Sequence, residues 1–265
     1  MDSAIGPSRG ILHQKEGETR FQLVRLLPAE DLQPLIEFYW SVSWDLRGQE
    51  PYVSETLPHP SVHLVFEQGQ ALIFGVNTGK FSRLLEDRGR NFSVKFKPGG
   101  FFPFVHVPVA NFTNITATLQ SVFGVEAEPL YEAIFACEDV GEMKRIVEDF
   151  LRARLPERDE QAEKINEMVD YIRVHPEITR VDEIVSAFKL SKRTLQRLFQ
   201  QYVGVSPKWV IKRYRLHEAV ERLAAGNEVD WTRLALDLEY FDQAHFIKDF
   251  KAIIGKTPSE YTKQK

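Results

Sequence analysis

Ser191-Lys192-Arg193-Thr194-Leu195-Gln196-Arg197-Leu198-Phe199, with Gly204-Val205-Ser206-Pro207 behind it, decides how this 265-residue chain is read, because the same pattern returns further on. Laying Gly204-Val205-Ser206-Pro207 on Gly255-Lys256-Thr257-Pro258 is an offset of 255 − 204 = 51 residues. That offset brings Thr179 onto Asp230, Leu190 onto Phe241, Ser191 onto Asp242, Leu195 onto Phe246, Arg197 onto Lys248, Phe199 onto Phe250 and Tyr202 onto Ile253. Cap meets cap, core apolar meets core apolar, and basic meets basic.

Each part has a physical reason for its position. Thr179 and Asp230, like Ser191 and Asp242, can accept hydrogen bonds from the unpaired amides of a helix start. Leu195, Phe199 and Tyr202 recur at i, i+4 and i+7, as do Phe246, Phe250 and Ile253, so each set forms one apolar stripe. Gly204 and Gly255 stand where a left-handed residue closes a helix. Pro207 and Pro258 suit the first turn of the next helix, with Ser206 and Thr257 as caps. The reading is a helix-turn-helix unit present twice, at about 179–204 and 230–255. Between the two runs a continuous helical pattern, 207–225, ended by Gly226-Asn227 and ~30 Å long at ~1.5 Å per residue. One turn of B-DNA is ~34 Å, so such a rod sets two recognition helices in successive major-groove segments.

Helix geometry then sorts the side chains. If Leu195, Phe199 and Tyr202 face the core, Arg193, Arg197 and Gln200 point away from it, with Lys192 and Gln196 on the shoulder. Arg and Gln can bond guanine and adenine edges bidentately, so Arg193, Gln196 and Arg197 are the base-reading candidates of the first unit. The second unit offers Gln243, Ala244, Ile247 and Lys248, a face poorer in hydrogen-bonding groups, which points to shape and phosphate contact. Lys192, Gln200, Lys208, Lys212, Arg213, Arg215 and Lys251 are the phosphate candidates. From Lys189 to Arg215 there are eight basic residues and no acidic one. A charge run is usually only a solvated face; here it coincides with the duplicated unit and alternates with Phe199, Tyr202, Trp209 and Tyr214, which favours a polyanion-facing surface.

Composition bounds the remainder. A chain of this length divides naturally into two domains, and a hydrophobic fraction of 43% supplies ordinary cores. The net charge is −4; residues 1–156 carry 15 basic and 20 acidic side chains (15 − 20 = −5) and 157–265 carry 19 and 18 (19 − 18 = +1). No signal-like apolar start and no run of ~18 apolar residues is present, so no membrane association is expected. The single cysteine, Cys137, fits a cytoplasmic chain and a buried structural thiol.

Upstream the period shortens. Apolar stretches at 21–27, 38–45, 53–57, 62–67, 71–76, 81–85 and 93–96, rich in Val, Phe, Tyr and Trp, predict strands. Asp31 heads a short predicted helix, 31–37. After Phe96-Lys97-Pro98-Gly99-Gly100-Phe101 the period becomes helical, at 102–106, 119–123, 129–136 and 141–155. The fold class expected is α+β. It comprises a β-rich sandwich- or barrel-like domain with trailing helices over 1–155, a charged linker at 156–160, and an all-α domain of two helix-turn-helix units over 161–265.

These residues resemble the bacterial AraC/XylS transcriptional regulators. The likeness rests on the first-unit run quoted above with Arg213-x-Arg215-Leu216 and Ala219, and on Leu238-Glu239-Tyr240-Phe241-Asp242-Gln243-Ala244-His245-Phe246-Ile247-Lys248-Asp249-Phe250-Lys251 with Gly255-Lys256-Thr257-Pro258-Ser259-Glu260-Tyr261. It covers about 100 residues, 161–261. The family implies sequence-specific binding of double-stranded DNA, with base contacts at the positions of Arg193, Gln196 and Arg197. This chain departs in having Glu239 where the second turn usually has glycine, and Lys248 where arginine is commoner. The Phe-Lys-Pro-Gly-Gly-Phe run is similar to a sheet domain of unknown function that precedes such helices. In the family that domain senses an effector or pairs two copies into a homodimer, and both roles stay open here.

Within the sheet domain, Trp40, Trp44, Phe66, Phe74, Phe96 and Phe101 are candidates to line a small-molecule pocket; the alternative is an aromatic core. His59, His63 and Glu67, with His106 further on, are the weaker candidates for a metal centre: strand alternation separates their faces and no His-x-His pair occurs. No P-loop, Gly-x-Ser-x-Gly elbow or Gly-x-Gly-x-x-Gly is present, and neither a catalytic residue nor a cofactor is implied. The leading reading is therefore a DNA-binding regulator that is not an enzyme. The competing one is a metal-dependent or small-molecule enzyme or sensor whose chemistry lies in the sheet domain, the helices serving only to localise it.

Overall fold

The computed structural model describes residues 10, 12, 14–224, 231–238 and 240–262. After a short helix α1 (Gln14–Gly17) come β1 (Gln22–Leu26), β2 (Ile36–Asp45), β3 (Tyr52–Thr56), β4 (His63–Glu67), β5 (Gln70–Phe74), β6 (Phe81–Leu85) and β7 (Arg88–Phe96). Helix α2 (Phe102–Val105), a 3-10 turn (Val109–Phe112), β8 (Thr116–Thr118), α3 (Leu119–Phe123), α4 (Ala127–Ala136) and α5 (Val140–Arg152) follow. A six-stranded antiparallel sheet runs in the order β1-β2-β7-β4-β5-β8, and β3 pairs with β6 separately.

Strand alternation divides the large sheet into two unlike faces. Tyr39, Leu64, Phe66, Ile73, Phe92, Val94 and Phe96 are wholly buried on one face, under helices α3 to α5. Phe38, Trp40, His63, Val65, Phe74, Ser93 and Lys95 alternate with them and line a cavity on the other face. The predicted helix over 31–37 is instead a run of turns that gives way to β2 at Ile36. Pro34 supplies no amide for a continuous helical ladder: Leu32 and Gln33 donate back to Ala29 O and Leu35 and Ile36 to Leu32 O, two separate turns, and Asp31 accepts from Arg152 at 2.7 Å rather than capping a helix. Strand β8 and the 3-10 turn, at 116–118 and 109–112, carry no periodic pattern in the sequence. Gly99 and Gly100 explain the Pro-Gly-Gly run: a Cβ at Gly100 would lie 1.9 Å from Leu35 O, and one at Gly99 would lie 2.5 Å from Ala162 O.

The C-terminal part comprises α6 (Glu160–Val174), α7 (Val181–Ala187), α8 (Lys192–Tyr202), α9 (Pro207–Ala224), α10 (Trp231–Asp237), α11 (Gln243–Ile254) and α12 (Pro258–Thr262). Ser191 caps α8 by accepting from Thr194 N at 3.0 Å, and Asp242 caps α11 by accepting from His245 N at 2.7 Å. Arg180, not Thr179, is the N-cap of α7, while Asp230, Gly226, Asn227 and Glu239 lie outside the described residues. The apolar stripe of α8 adds Leu198 to Leu195, Phe199 and Tyr202. Phe241 breaks the aligned pattern: it is 91% exposed, and Tyr240, one residue earlier, takes the buried place at 4%.

A single hydrophobic core runs from Leu32 through the sheet helices to Leu195, Phe199, Tyr202 and Ile211. Phe102 and Tyr202 rings lie 4.4 Å apart, and Tyr202 Oη donates to Asp159 Oδ2 at 2.9 Å. Asp159 also accepts from Gln161 N and Ala162 N at the start of α6, so the charged stretch 156–160 is fastened to α6 and α8 through this one residue. A second core joins Leu216, Leu223, Leu234, Phe246 and Phe250 to Leu12 and Leu57. The N-terminal domain thus packs on both helix-turn-helix units. Gly204 sits at this joint with φ +89, and a Cβ there would come to 3.0 Å from Val109 O and Thr113 Oγ1. Gly204→Ala is expected to cost about 1–3 kcal/mol, from the left-handed backbone and the crowding together. Denaturant unfolding measures it, and an unchanged midpoint would mean that this joint is loose.

Candidate nucleic-acid interface and inter-domain cavity

On α8 the side chains opposite the buried stripe are open to solvent. Arg193, Gln196, Arg197 and Gln200 are all exposed. Arg193 has no hydrogen bond or ion pair among the described residues, and Arg197 reaches only Gln201, at 3.4 Å. Lys192 is exposed and pairs with Asp182 at 2.8 Å. On α11, Ala244, Lys248 and Lys251 are exposed, Gln243 is half-buried, and Ile247 packs against the second core. Phe241 stands immediately before the cap of α11 and adds an apolar group to that end. It went unnoticed in the sequence because its place in the repeat reads as core. Lys208, at the start of α9, is exposed.

Three of the proposed phosphate contacts are corrected by the structure. Arg213 is 3% exposed; its Nε donates to Pro58 O at 2.6 Å, and its Nη2 lies 3.0 Å from His59 Nδ1. Arg215 is 9% exposed, donates to Leu238 O, and lies 4.2 Å over the Tyr240 ring. Lys212 Nζ donates to Asp249 Oδ1 at 2.8 Å, and with Asp249 only 8% exposed this pair fastens α9 to α11. Arg213 and Arg215 turn inward because the connector helix packs against the sheet domain on one side and the second unit on another, and half-buried Lys212 is held by its pair with Asp249.

Between the sheet domain and helices α6 and α9 lies a partly open cavity of about 950 Å³. Of the six aromatic pocket candidates, Trp40 and Phe74 line it. Phe66, Phe96 and Phe101 are buried in the main core on the opposite face of the sheet, which is the face that strand parity assigns to the first two. Trp44 belongs to a small cluster with Leu46, Tyr52 and Leu85, its Nε1 donating to Glu86 O. Asn91, Ser93 and Lys95, which alternate with Phe92, Val94 and Phe96, are cavity residues that the sequence does not single out, although the alternation marks a second face.

His59, His63 and Glu67 reach the cavity without converging. Glu67 pairs with Arg83 at 3.0 Å, His63 meets the Trp40 ring edge-on at 5.1 Å, and His59 lies between Lys95 and Arg213. Among the described residues no group of three or more His, Cys, Asp or Glu could hold a metal ion. His106 is the left-handed C-cap of α2. Cys137 is half-buried at the end of α4. Among the described residues no helix is long and apolar enough to cross a membrane.

Burial, then the neighbouring Lys95 and Arg213 charges, holds His59 well below its ordinary pKa; burial, then Lys95, lowers His63 to about 3. Both rings are therefore neutral in the folded protein and take up protons on unfolding below the ordinary value of 6.5. The stability they confer is complete above 6.5 and is lost as pH falls below it, for His63 down to about 3. Urea midpoints should drop between pH 7 and pH 4, and less steeply in the His59→Gln, His63→Gln double variant. Equal slopes would place the acid sensitivity elsewhere.

Two helix-turn-helix units joined by one long helix, with basic side chains on an outward recognition helix, define a double helix-turn-helix domain of the DNA-binding class. Comparison with known proteins agrees. Residues 184–264 match a helix-turn-helix domain family, and residues 24–118 match a domain of unknown function, DUF6597. The chain thus carries an AraC-type helix-turn-helix domain behind an N-terminal DUF6597 domain. The transcriptional activator RhaS of Escherichia fergusonii is 30% identical over 108 residues, 40% of this chain and 38% of that protein. The activator AarP of Providencia stuartii is 35% identical over 81 residues, 31% of this chain and 59% of AarP. An uncharacterised HTH-type transcriptional regulator, YtdP of Bacillus subtilis, is 27% identical over 174 residues, 60% of this chain and 22% of YtdP. The chain accordingly matches less than two thirds of the length of each of these relatives. Solved structures of ToxT from Vibrio cholerae are also similar, with a TM-score of 0.38 and 13% identity in one of them, over 92% of this chain and 98% of that chain.

Proposed function

We propose that this protein is a sequence-specific DNA-binding transcription regulator whose N-terminal domain adjusts the two reading units in response to a small molecule. The observation that carries the reading is the outward face of α8, where Arg193, Gln196, Arg197 and Gln200 are exposed and almost unengaged within the protein. Two arginines and two glutamines at helical spacing suit guanine and adenine edges in a major groove. In the second unit, Gln243, Ala244 and Lys248, joined by Phe241, would meet thymine methyls, sugars and phosphates more than donor and acceptor patterns. Lys192, Lys208 and Lys251 would anchor the backbone.

Two reading units in one chain remove the need for a homodimer, and catalysis has no part in this reading. The inter-domain cavity, not the aromatic core, is where an effector would sit. Arg197→Ala is expected to weaken binding to a selected duplex by about 10- to 100-fold, the scale of one bidentate base contact. Its effect on a random duplex should be a few-fold at most. Lys208→Ala should weaken both alike and lower the salt slope by about one. Equal losses for Arg197→Ala on both duplexes, measured by fluorescence anisotropy, would contradict base reading by α8.

A further inference from the structure

The turn of the first unit holds a lysine in a backbone conformation that suits glycine. Lys189 has φ +52 and belongs to the tight connection between α7 and α8. Among the described residues four others apart from glycine share a positive φ, namely Gln68, Asp87, His106 and Asn114, and Lys189 is the one of them in a helix-turn-helix unit. Asp and Asn tolerate that region because a short polar side chain can bond locally, whereas the Cβ of a lysine crowds the neighbouring carbonyl without such compensation. The cause of the conformation is local. Leu190 N donates to Val185 O at 3.1 Å and Lys189 N to Ser186 O at 3.4 Å, which closes α7 with the left-handed residue that glycine usually supplies. Only Leu190 then separates Lys189 from Ser191, the cap of α8. In the second unit the matching bond, Tyr240 N to Ala235 O at 2.8 Å, leaves one residue more before the cap Asp242, and that residue is the exposed Phe241.

No contact among the described residues offsets this strain. The Lys189 side chain is exposed and has no hydrogen bond or ion pair there. The acids of α7 are engaged elsewhere, Asp182 with Lys192 Nζ at 2.8 Å and Glu183 with Arg180 N at 2.8 Å. The nearest charges that follow Lys189 in the chain, Lys192 and Arg193, are of the same sign and equally exposed. Successive Cα atoms are ~3.8 Å apart, so Lys189 lies within about 8 Å of the cap of α8. A recognition helix meets the bases with its N-terminal residues, which puts the turn just before its cap at the rim of the groove, where the phosphates run. A strained residue with no return inside the protein, at the end of the helix that carries Arg193 and Gln196, points to a contact outside it.

We propose that Lys189 is a phosphate anchor of the first unit, its ammonium meeting the duplex backbone at the rim of the groove that α8 enters, from a left-handed turn that lowers the stability of the free protein. The strain is offset only on the duplex. Phe241, in the corresponding turn of the second unit, can make no such ion pair, so the two units hold the backbone unequally. The proposal rests on the reading of α8 given above as a DNA-contacting helix.

The test compares the full chain with its Lys189→Gly, Lys189→Asn and Lys189→Arg variants. Thermal melting is read on the free proteins, and fluorescence anisotropy over a range of NaCl concentration on a mixed-sequence duplex and on the duplex enriched from a randomised pool. Lys189→Gly is expected to melt about 2–4 °C above the wild type, since glycine takes a positive φ without strain, and Lys189→Asn no lower than the wild type. Both should nevertheless bind each duplex about fivefold more weakly and lower the salt slope by about one, as loss of one phosphate contact does. Lys189→Arg should keep the slope. A gain in stability with a loss in affinity cannot come from damage to the fold. Unchanged slopes in the Gly and Asn variants, a loss confined to the enriched duplex, or a fallen slope in Lys189→Arg would each overturn the anchor, and a lower melting temperature for Lys189→Gly would overturn the strain behind it. Arg197→Ala is measured alongside. If it weakens the enriched duplex while Lys189→Gly changes nothing, the anchor alone fails; if Lys189→Gly lowers the slope while Arg197→Ala has no effect, the anchor stands and base reading by α8 fails.

Discussion

The connector helix α9 is buried or half-buried along most of its length, only Lys208, Glu221 and Arg222 being exposed among its described side chains, and this constraint organises the molecule. Its 18 residues pack against α6, against α8 of the first unit and against α11 of the second, while Arg213, His217 and Glu221 face the sheet domain across the cavity. Three successive basic positions leave in three directions: Lys212 to Asp249 of α11, Arg213 to the Pro58 and His59 segment, and Arg215 to the end of α10. At ~1.5 Å per residue the helix is ~27 Å long, close to one turn of duplex. What fixes α9 therefore fixes the separation and relative rotation of both recognition helices.

The N-terminal domain reaches that helix and both units at once. Thr113 Oγ1 donates to Gly204 O at 2.6 Å behind the first recognition helix, and Trp209 Nε1 donates to Thr78 O at 3.3 Å. Leu12 and Leu57 enter the core of the second unit. Contacts of this kind are individually worth about a kilocalorie per mole, but they share one rigid element. A change in how α9 seats on the sheet thus alters two distant faces together, as a bistable joint requires.

Much of this was legible from spacing alone. The repeat located both recognition helices, their Ser191 and Asp242 caps and their closing glycines, because these depend on local backbone chemistry that the residue types dictate. Seven of the eight strands followed from alternation; β8, three residues long, is defined by its pairing with β5 and has no pattern of its own. The basic run was legible as a run but not in its division, since Lys208 faces water and Arg213 the cavity for reasons of packing between domains distant in sequence. The pocket failed similarly: aromatic residues were gathered without regard to strand parity, so residues of the core face were mixed with those of the cavity face. Phe241 and Tyr240 show the limit of a repeat, in which a one-residue shift exchanges a buried ring for an exposed one.

On the proposed reading, the outward faces of α8 and α11, joined by α9, contact one duplex in successive major-groove segments. Selection of bound fragments from a randomised duplex pool by the full chain tests it most directly. The account requires two enriched blocks on one side of the duplex with centres about 10–11 base pairs apart, the spacing of adjacent major-groove segments, and the block read by α8 the more sharply defined. Enrichment of no sequence, or of a single block indifferent to what lies one turn away, would contradict it.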